Sequence, residues 1–253
     1  MKRLALLAVL SLWLAVPARA AELLAVGAEF SRVFEKNAAG EYDGMAPAIL
    51  RELARRMGYS VRFELLPWPR AQAMVADGRA DILIGPYKTP EREATFAFSE
   101  LPFYQDAMVF YSLASHKRVW QGDYAALASQ RLVAMNGWAY GPAFEAARPR
   151  LDVSTANAVE NGLKMLAFGR ADLFASNRRN TEPVISRLHW EEKFVVQGPP
   201  LYVQQGYFAF PRKPQFDALR RQFDAAMRTY AEAGDLKRLG LMYAVTVPPV
   251  KER

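Results

Sequence analysis

Twice in this sequence a helix-like run closes on Gly-Arg-Ala-Asp and a strand-like run follows: VADGRADILIGP (75–86) and LAFGRADLFASN (166–177). Each copy has a glycine where a helix must stop, since glycine adopts the left-handed conformation without steric cost. A short apolar run bounded by turn residues then fits a buried strand. Two copies about 90 residues apart predict two α/β lobes of similar construction with a cleft between them, because solenoid units recur more often and at shorter spacing.

The flanking pattern agrees. Residues 22–27 (ELLAVG) form an apolar run. Met45, Ile49, Leu50, Leu53 and Met57 recur at helical spacing up to Gly58, and alternation at 60–66 predicts a strand. A helix over 69–77 and a strand over 80–84 complete a βαβαβ half. The second series has strands at 107–113, 131–135, 151–154 and 171–175, with helices at 139–147 and 156–168. A strand at 207–210, an amphipathic helix at 215–232 and a loose Pro-rich tail at 246–253 close the chain.

The first twenty residues stand apart. MKR, then LALLAVLSLWLAV, then Ala18-Arg19-Ala20 form a basic, apolar and small-residue series, as in a secretory signal peptide cleaved after Ala20. The alternative is an uncleaved N-terminal anchor. No cysteine follows the cut to carry a lipid, and no later stretch approaches the roughly 20 apolar residues of a membrane-spanning helix. The expected product is a soluble periplasmic protein without disulfides, whose stability rests on packing. Loss of Lys2, Arg3 and Arg19 with the leader lowers the formal charge from +7 to +4. The remaining Lys and Arg stand singly or in pairs such as Arg178-Arg179, which gives no nucleic-acid surface.

Thr89-Pro90-Glu91-Arg92 has the composition of a helix start: a capping threonine, proline at the first helical position and an acid in the first turn. Arg92 follows the carboxyl end of a strand, where open α/β sheets bind ligands, and its guanidinium fork can hold a carboxylate through two parallel hydrogen bonds. A surface arginine paired with Glu91 or Glu93 fits the same spacing. Aromatics gather in the neighbouring loops: Phe30 or Phe34, Trp68, Tyr87, Trp138 and Tyr140. They suit either the walls of a pocket or ordinary core, with core the reading for Phe34 and Tyr140.

Catalytic patterns are sparse. His116 and His189 have no metal-ligand spacing, and there is no G-x-S-x-G elbow, Walker A loop or dinucleotide fingerprint. Glu29, Glu35 and Glu145 are the carboxylates that a cleft could use as acid or base. The expectation is a binding protein with no metal, cofactor or catalytic residue.

In order along the chain, several features resemble the family-3 periplasmic solute-binding proteins, the polar amino-acid receptors of ABC transporters. They are Val26-Gly27, Gly40, Gly44, Pro67-Trp68, Gly78-Arg79-Ala80-Asp81-Ile82, Gly85, Thr89-Pro90-Glu91-Arg92, Phe98-Ser99-Glu100-Leu101-Pro102-Phe103-Tyr104, Gly137, Gly169-Arg170-Ala171-Asp172 and Gly234. The resemblance implies a type II periplasmic-binding-protein fold of two α/β lobes joined by two hinge strands. Lobe 1 would comprise 22–104 and 206–253, and lobe 2 would comprise 105–205, with the hinge near Tyr104-Gln105 and Gln205-Gly206. It implies a monomer that closes on a small carboxylate-bearing solute, an amino acid or derivative, and delivers it to an inner-membrane ABC permease. Arg92 would grip the ligand carboxylate, with Phe30, Trp68, Gly85, Tyr87, Gly137, Trp138 and Asn177 around it.

Three positions depart from the family pattern. Tyr87 stands where a small or hydroxyl residue is usual, Trp138 follows Gly137 in place of Thr or Ser, and Asn177 replaces the carboxylate expected to meet a ligand ammonium. These changes point away from a standard α-amino acid. Two other functions share the scaffold: a periplasmic cyclohexadienyl dehydratase, and a ligand-sensing partner of a membrane receptor.

Overall fold

A computed structural model describes residues 21–116 and 120–249; the signal peptide expected over 1–20 lies outside them. The chain runs through β1 (Glu22–Gly27), β2 (Glu35–Lys36), β3 (Tyr42–Asp43), α1 (Met45–Met57), β4 (Ser60–Leu65), α2 (Trp68–Ala76), β5 (Ile82–Tyr87), α3 (Pro90–Thr95) and β6 (Phe96–Phe98). Then come β7 (Tyr104–Leu113), β8 (Arg131–Met135), α4 (Pro142–Ala147), β9 (Asp152–Ala156), α5 (Val159–Ala167), β10 (Leu173–Asn177), α6 (Arg178–Arg187), β11 (Phe194–Pro211), α7 (Asp217–Glu232) and α8 (Asp235–Tyr243). The main strands pair in the order β4-β1-β5-β11-β7-β10-β8-β9, with β6 also on β11.

That order contains two half-sheets. β1 lies parallel between β4 and β5, and β8 lies parallel between β10 and β9. β7 and β11 run antiparallel to each other between the halves, with Gln105 opposite Gln205 and Tyr104 opposite Gly206. The C-terminal part of β11 also pairs with β5, while β7 pairs with β10. Two lobes are thus joined by two strands, as in a type II periplasmic-binding-protein fold.

Local chemistry explains the elements. In α1 the buried face is Met45, Ala46, Ile49, Leu50, Leu53 and Ala54, and Gly58 ends the helix at φ 80° with its N–H on Ala54 and Arg55 carbonyls. All six residues of β5 are buried, which is why ILIGPY carries no alternation: a strand covered on both faces has no polar side. Its Gly85 (φ +82°) and Pro86 face a register shift in β11 between Gly206 and Phe208. The ladder yields there because proline has no N–H to donate. Phe103 stacks on Phe208 with ring centroids 4.1 Å apart, and Phe208 meets Phe223 of α7 at 5.2 Å. The closing helix is thereby tied to the strand crossing.

Several boundaries differ from the sequence expectation. β5 extends to Tyr87, and α4 begins only at Pro142 because Gly141 enters it at φ 95°. β11 is 18 residues long, not four; its outer half, with Gly198-Pro199-Pro200, lacks the alternation that marks a strand. α6 carries an internal Pro183, which masked its helical pattern. The tail is not loose at its start: the Thr246 carbonyl accepts from Gln105 N–H at 2.9 Å, and Val247 packs on the core. Phe34 and Tyr140 are fully buried, as core residues.

Candidate functional site

The two lobes face each other across a cleft of about 780 Å³. One wall is the first loop (28–31 and Glu35) with residues 66–69; the other is 135–138, 157–160 and part of α6. Ligand pockets commonly span roughly 300–1,000 Å³. At its inner end lies a second void of about 20 Å³, lined by Phe30, Trp68, Gly85, Tyr87, Arg92 and Trp138. That is room for about one water molecule. Phe30, Trp68 and Trp138 line both spaces and form an aromatic collar between them.

Each wall residue has a local reason for its place. The first loop is held by α1, whose Met45 and Ala46 N–H groups donate to Arg32 and Val33 carbonyls at 3.0 and 2.9 Å. These bonds satisfy two of the orphan donors of a helix start. Gly44 is obligatory at that junction: at φ +109° an added Cβ would lie 2.7 Å from the Val33 carbonyl carbon. The loop then presents Phe30 edge-on to Trp68, with centroids 5.5 Å apart. Trp68 opens α2 behind Pro67. Gly85 leaves room for Phe30 and for Tyr104, whose hydroxyl donates to the Gly85 carbonyl at 2.8 Å.

Arg92 sits in α3, which starts as its sequence indicates: the Thr89 Oγ1 accepts from Arg92 N–H at 3.3 Å, and Pro90 occupies the first turn. The guanidinium is half-buried. It donates to the Tyr87 carbonyl at 3.0 Å and, across the cleft, to the Gly137 carbonyl at 2.7 Å. Its Cζ lies 5.5 Å from the Trp68 ring centroid. Burial pushes its pKa down, against the raising influence of Tyr87, Tyr104, Glu91 and Glu145. Among the described residues no carboxylate forms an ion pair with it. The surface pairing with Glu91 or Glu93 that its sequence also allowed is not formed.

Six of the eight residues singled out in the sequence thus line the inner void, and Gly137 joins them through Arg92. Gly137 has φ +72°, and a Cβ there would stand 3.2 Å from Trp68 Cδ1. Asn177 is placed differently. It caps α6, its Oδ1 accepting from Asn180 N–H at 2.9 Å, and it is 1% exposed.

The sequence reading missed a buried ion pair behind the cleft residues. Arg179 holds the Asp106 carboxylate bidentately, Nε to Oδ1 at 3.0 Å and Nη2 to Oδ2 at 2.5 Å. Tyr87 donates to the same carboxylate at 2.9 Å. Arg179 also donates to the Ser31 carbonyl, and Ser31 N–H donates to Asn180 Oδ1 at 3.0 Å. Burial works against the Arg179 charge, but the Asp106 charge and hydrogen bonds outweigh it and raise its pKa. Burial and the Asp106 charge push the Tyr87 hydroxyl up as well, so both groups keep their protons. The one sequence signal was the doublet Arg178-Arg179 directly after the strand LFASN, where a charge that becomes buried needs a partner.

Comparison with known proteins follows the same lines. The family model of bacterial extracellular solute-binding proteins, family 3, matches residues 25–244. The probable amino-acid-binding protein YxeM of Bacillus subtilis (strain 168) is 21% identical over 222 residues, covering 87% of this chain and 81% of its own. A histidine kinase sensor domain with similarity to periplasmic binding proteins superposes with a TM-score of 0.79 at 16% identity, covering 91% of this chain and 99% of that one. A substrate-binding protein of an ABC uptake transporter from Streptococcus pneumoniae, solved with bound histidine, superposes at 0.73 and 16% identity, covering 88% and 92%. With the family model spanning residues 25–244 and the two-lobed sheet in place, the chain belongs to the bacterial extracellular solute-binding proteins, family 3.

Proposed function

We propose that this protein is exported to the periplasm and captures a small carboxylate-bearing solute, an amino acid or a derivative of one, between its lobes. It then presents the closed complex to an inner-membrane ABC permease. The observation that carries the carboxylate is Arg92: a half-buried guanidinium at the inner end of the cleft that meets two backbone carbonyls and an aromatic face and, among the described residues, forms no ion pair with an acid. A buried cation without a counter-charge is costly, and a carboxylate can take the place of the Gly137 carbonyl through a forked pair of charge-assisted bonds. With an inner void of only about 20 Å³, the solute enters with the lobes apart, and the aromatic collar closes over it.

The lobes divide as 22–104 with 206–253, and 105–205. The pairing of Gln105 with Gln205 at the strand crossing supports that division. The protein acts as a monomer, and binding and closure are its whole activity; no residue is assigned a catalytic role.

The test is a thermal-shift screen of residues 21–253 against amino acids, their derivatives and other carboxylates, prephenate included. A ligand at about 100 times its Kd adds roughly 2.7 kcal/mol to stability. A carboxylate that raises the melting temperature of the wild type and not of Arg92→Ala supports the reading. A carboxylate hit that Arg92→Ala leaves unchanged removes Arg92 as anchor, and turnover of prephenate would replace binding with catalysis.

A further inference from the structure

A second concavity, of about 520 Å³, lies outside the interlobe cleft where α3, β6 and the start of α7 meet. It shares no lining residue with the cleft or the inner void. Arg92 and Glu93 are consecutive in α3, yet Arg92 lines the void and Glu93 the concavity. Four residues of its lining are cations: Lys88 ahead of α3, Arg212 and Lys213 after β11, and Arg220 in α7. The acids that line it are Glu93 and Asp217, which leaves the lining with a net charge of +2.

Elsewhere on this surface, cations are matched with acids one helical turn away: Arg55 with Glu52, Arg148 with Glu145, Lys164 with Glu160 and Arg178 with Glu182. In the concavity only Arg220 has such a partner, Asp224 at 3.0 Å, and its Nε–H is buried without an acceptor. Among the described residues no carboxylate pairs with Lys88, Arg212 or Lys213. Neutral groups hold them instead. Arg212 donates to the Glu93 carbonyl and Lys213 Nζ to the Asp77 carbonyl. Lys88 Nζ stands 4.2 Å from the Tyr207 ring centroid and 5.6 Å from that of Phe98. Such contacts fix where the charges stand without neutralising them. An anion placed among them gains from all four.

We infer that this concavity is a binding site for a phosphate-class anion, whose source is a soluble phosphoester or the head group of a phospholipid. A phosphate group carries about −1.5 to −2 charges near neutral pH and three strong acceptor oxygens, which suits a lining of net charge +2 whose donors come from several directions. Arg212 can fork onto two of those oxygens, and Lys88 and Lys213 act as point charges. A lone carboxylate has one charge and would leave part of the lining unmatched. The organic part of the ester lies against the half-buried Phe98 ring.

The experiment has two arms on residues 21–253. Pyrophosphate and glycerol 1-phosphate are titrated calorimetrically, and co-sedimentation compares vesicles of phosphatidylglycerol mixed into phosphatidylcholine with phosphatidylcholine alone. Each arm is run on wild type, on Lys88→Gln, which loses no hydrogen bond, on Lys88→Gln/Arg212→Gln, and on Lys237→Gln/Arg238→Gln, which removes two exposed charges from α8. The expected result is binding in at least one arm that is roughly tenfold weaker or more in Lys88→Gln/Arg212→Gln, weaker by a smaller factor in Lys88→Gln, and close to wild type in the α8 variant. Binding in the calorimetric arm alone identifies a soluble phosphoester, and binding confined to phosphatidylglycerol vesicles identifies a lipid head group. Equal weakening by the α8 variant would mean that net charge and not this site attracts the anion, and overturns the inference. So does binding that both Lys88 variants leave intact, or that only Arg92→Ala abolishes, which would put the anion in the cleft. No binding in either arm, by a protein that melts cooperatively, overturns it outright and leaves the carboxylate reading of the cleft untouched.

Discussion

Arg179 and Asp106, 73 residues apart, form a two-pronged ion pair whose side chains are only 7% and 5% exposed. Asp106 belongs to β7 just past the strand crossing, and Arg179 opens α6. Tyr87, at the end of β5, adds its hydroxyl to the same carboxylate. The pair therefore sits where the two lobes and a connecting strand converge, and Arg179 extends the contact to Ser31 of the first loop. With the Arg92–Gly137 and Ser31–Asn180 bonds, it ties the residues on the two sides of the cleft together through the protein's own polar groups.

Removing one member of that pair should be far more damaging than removing both. Arg179→Ala leaves a buried carboxylate unpaired and is expected to cost about 3–5 kcal/mol in denaturant melts. Asp106→Leu/Arg179→Met, which replaces the pair with apolar groups of similar reach, is expected to recover most of that loss. A double variant as unstable as the sum of the single ones would show that the pair contributes through something other than mutual charge compensation.

Arg92→Lys separates charge from geometry. A lysine ammonium keeps the positive charge but cannot span the Tyr87 and Gly137 carbonyls or fork onto a carboxylate. With the best carboxylate from the screen, calorimetry should show affinity roughly tenfold weaker in Arg92→Lys and weaker still in Arg92→Ala. Equal affinity in wild type and Arg92→Lys would mean that charge alone suffices.

Gly206 faces Tyr104 at the crossing so closely that a Cβ would lie 1.8 Å from the Tyr104 ring. The ring cannot retreat, being buried and held by its hydroxyl bond to Gly85. Gly206→Ala is expected to cost about 1–3 kcal/mol, as overpacking does, and Tyr104→Leu in the same chain should relieve part of it. A melting temperature unchanged by Gly206→Ala would show that β7 and β11 slide apart there without cost.

Acid sensitivity should include two surface acids. The Arg55 and Arg56 hydrogen bonds hold Glu52 down at about 2, and Lys164 and Arg187 do the same for Glu160, also to about 2. A carboxylate whose pKa is lower in the folded state stabilises it above the ordinary value near 4.5, and that contribution fades as pH falls towards 2. Glu160→Gln should therefore melt below wild type at pH 7, by a margin that salt reduces, with the two curves converging near pH 2. A constant gap across that range would locate the effect in packing.

The fold was legible because it rests on local chemistry. Gly58, Gly78 and Gly169 mark helix ends, apolar runs mark strands covered on both faces, and Thr89-Pro90 carries its own capping group; each is decided within a few residues. Arg92 was legible for the same reason, since its position follows from a strand end and the helix start beside it. Where local signals conflicted, the reading fell short: Pro183 obscured α6, and the prolines at 199 and 200 obscured the long β11.

What the sequence by itself determined is therefore the succession of elements, the two-lobed plan and the family. Only the tertiary structure decided which polar groups meet. Asp106 is a single acid at the margin of an apolar strand and Arg179 half of a basic doublet, and neither has a neighbour in sequence that reveals the other. Their pairing depends on β7 and β11 crossing in one register, which brings the end of β5, the first loop and the start of α6 to one point. Once buried there, each charge must find its opposite. That requirement acts through space and not along the chain.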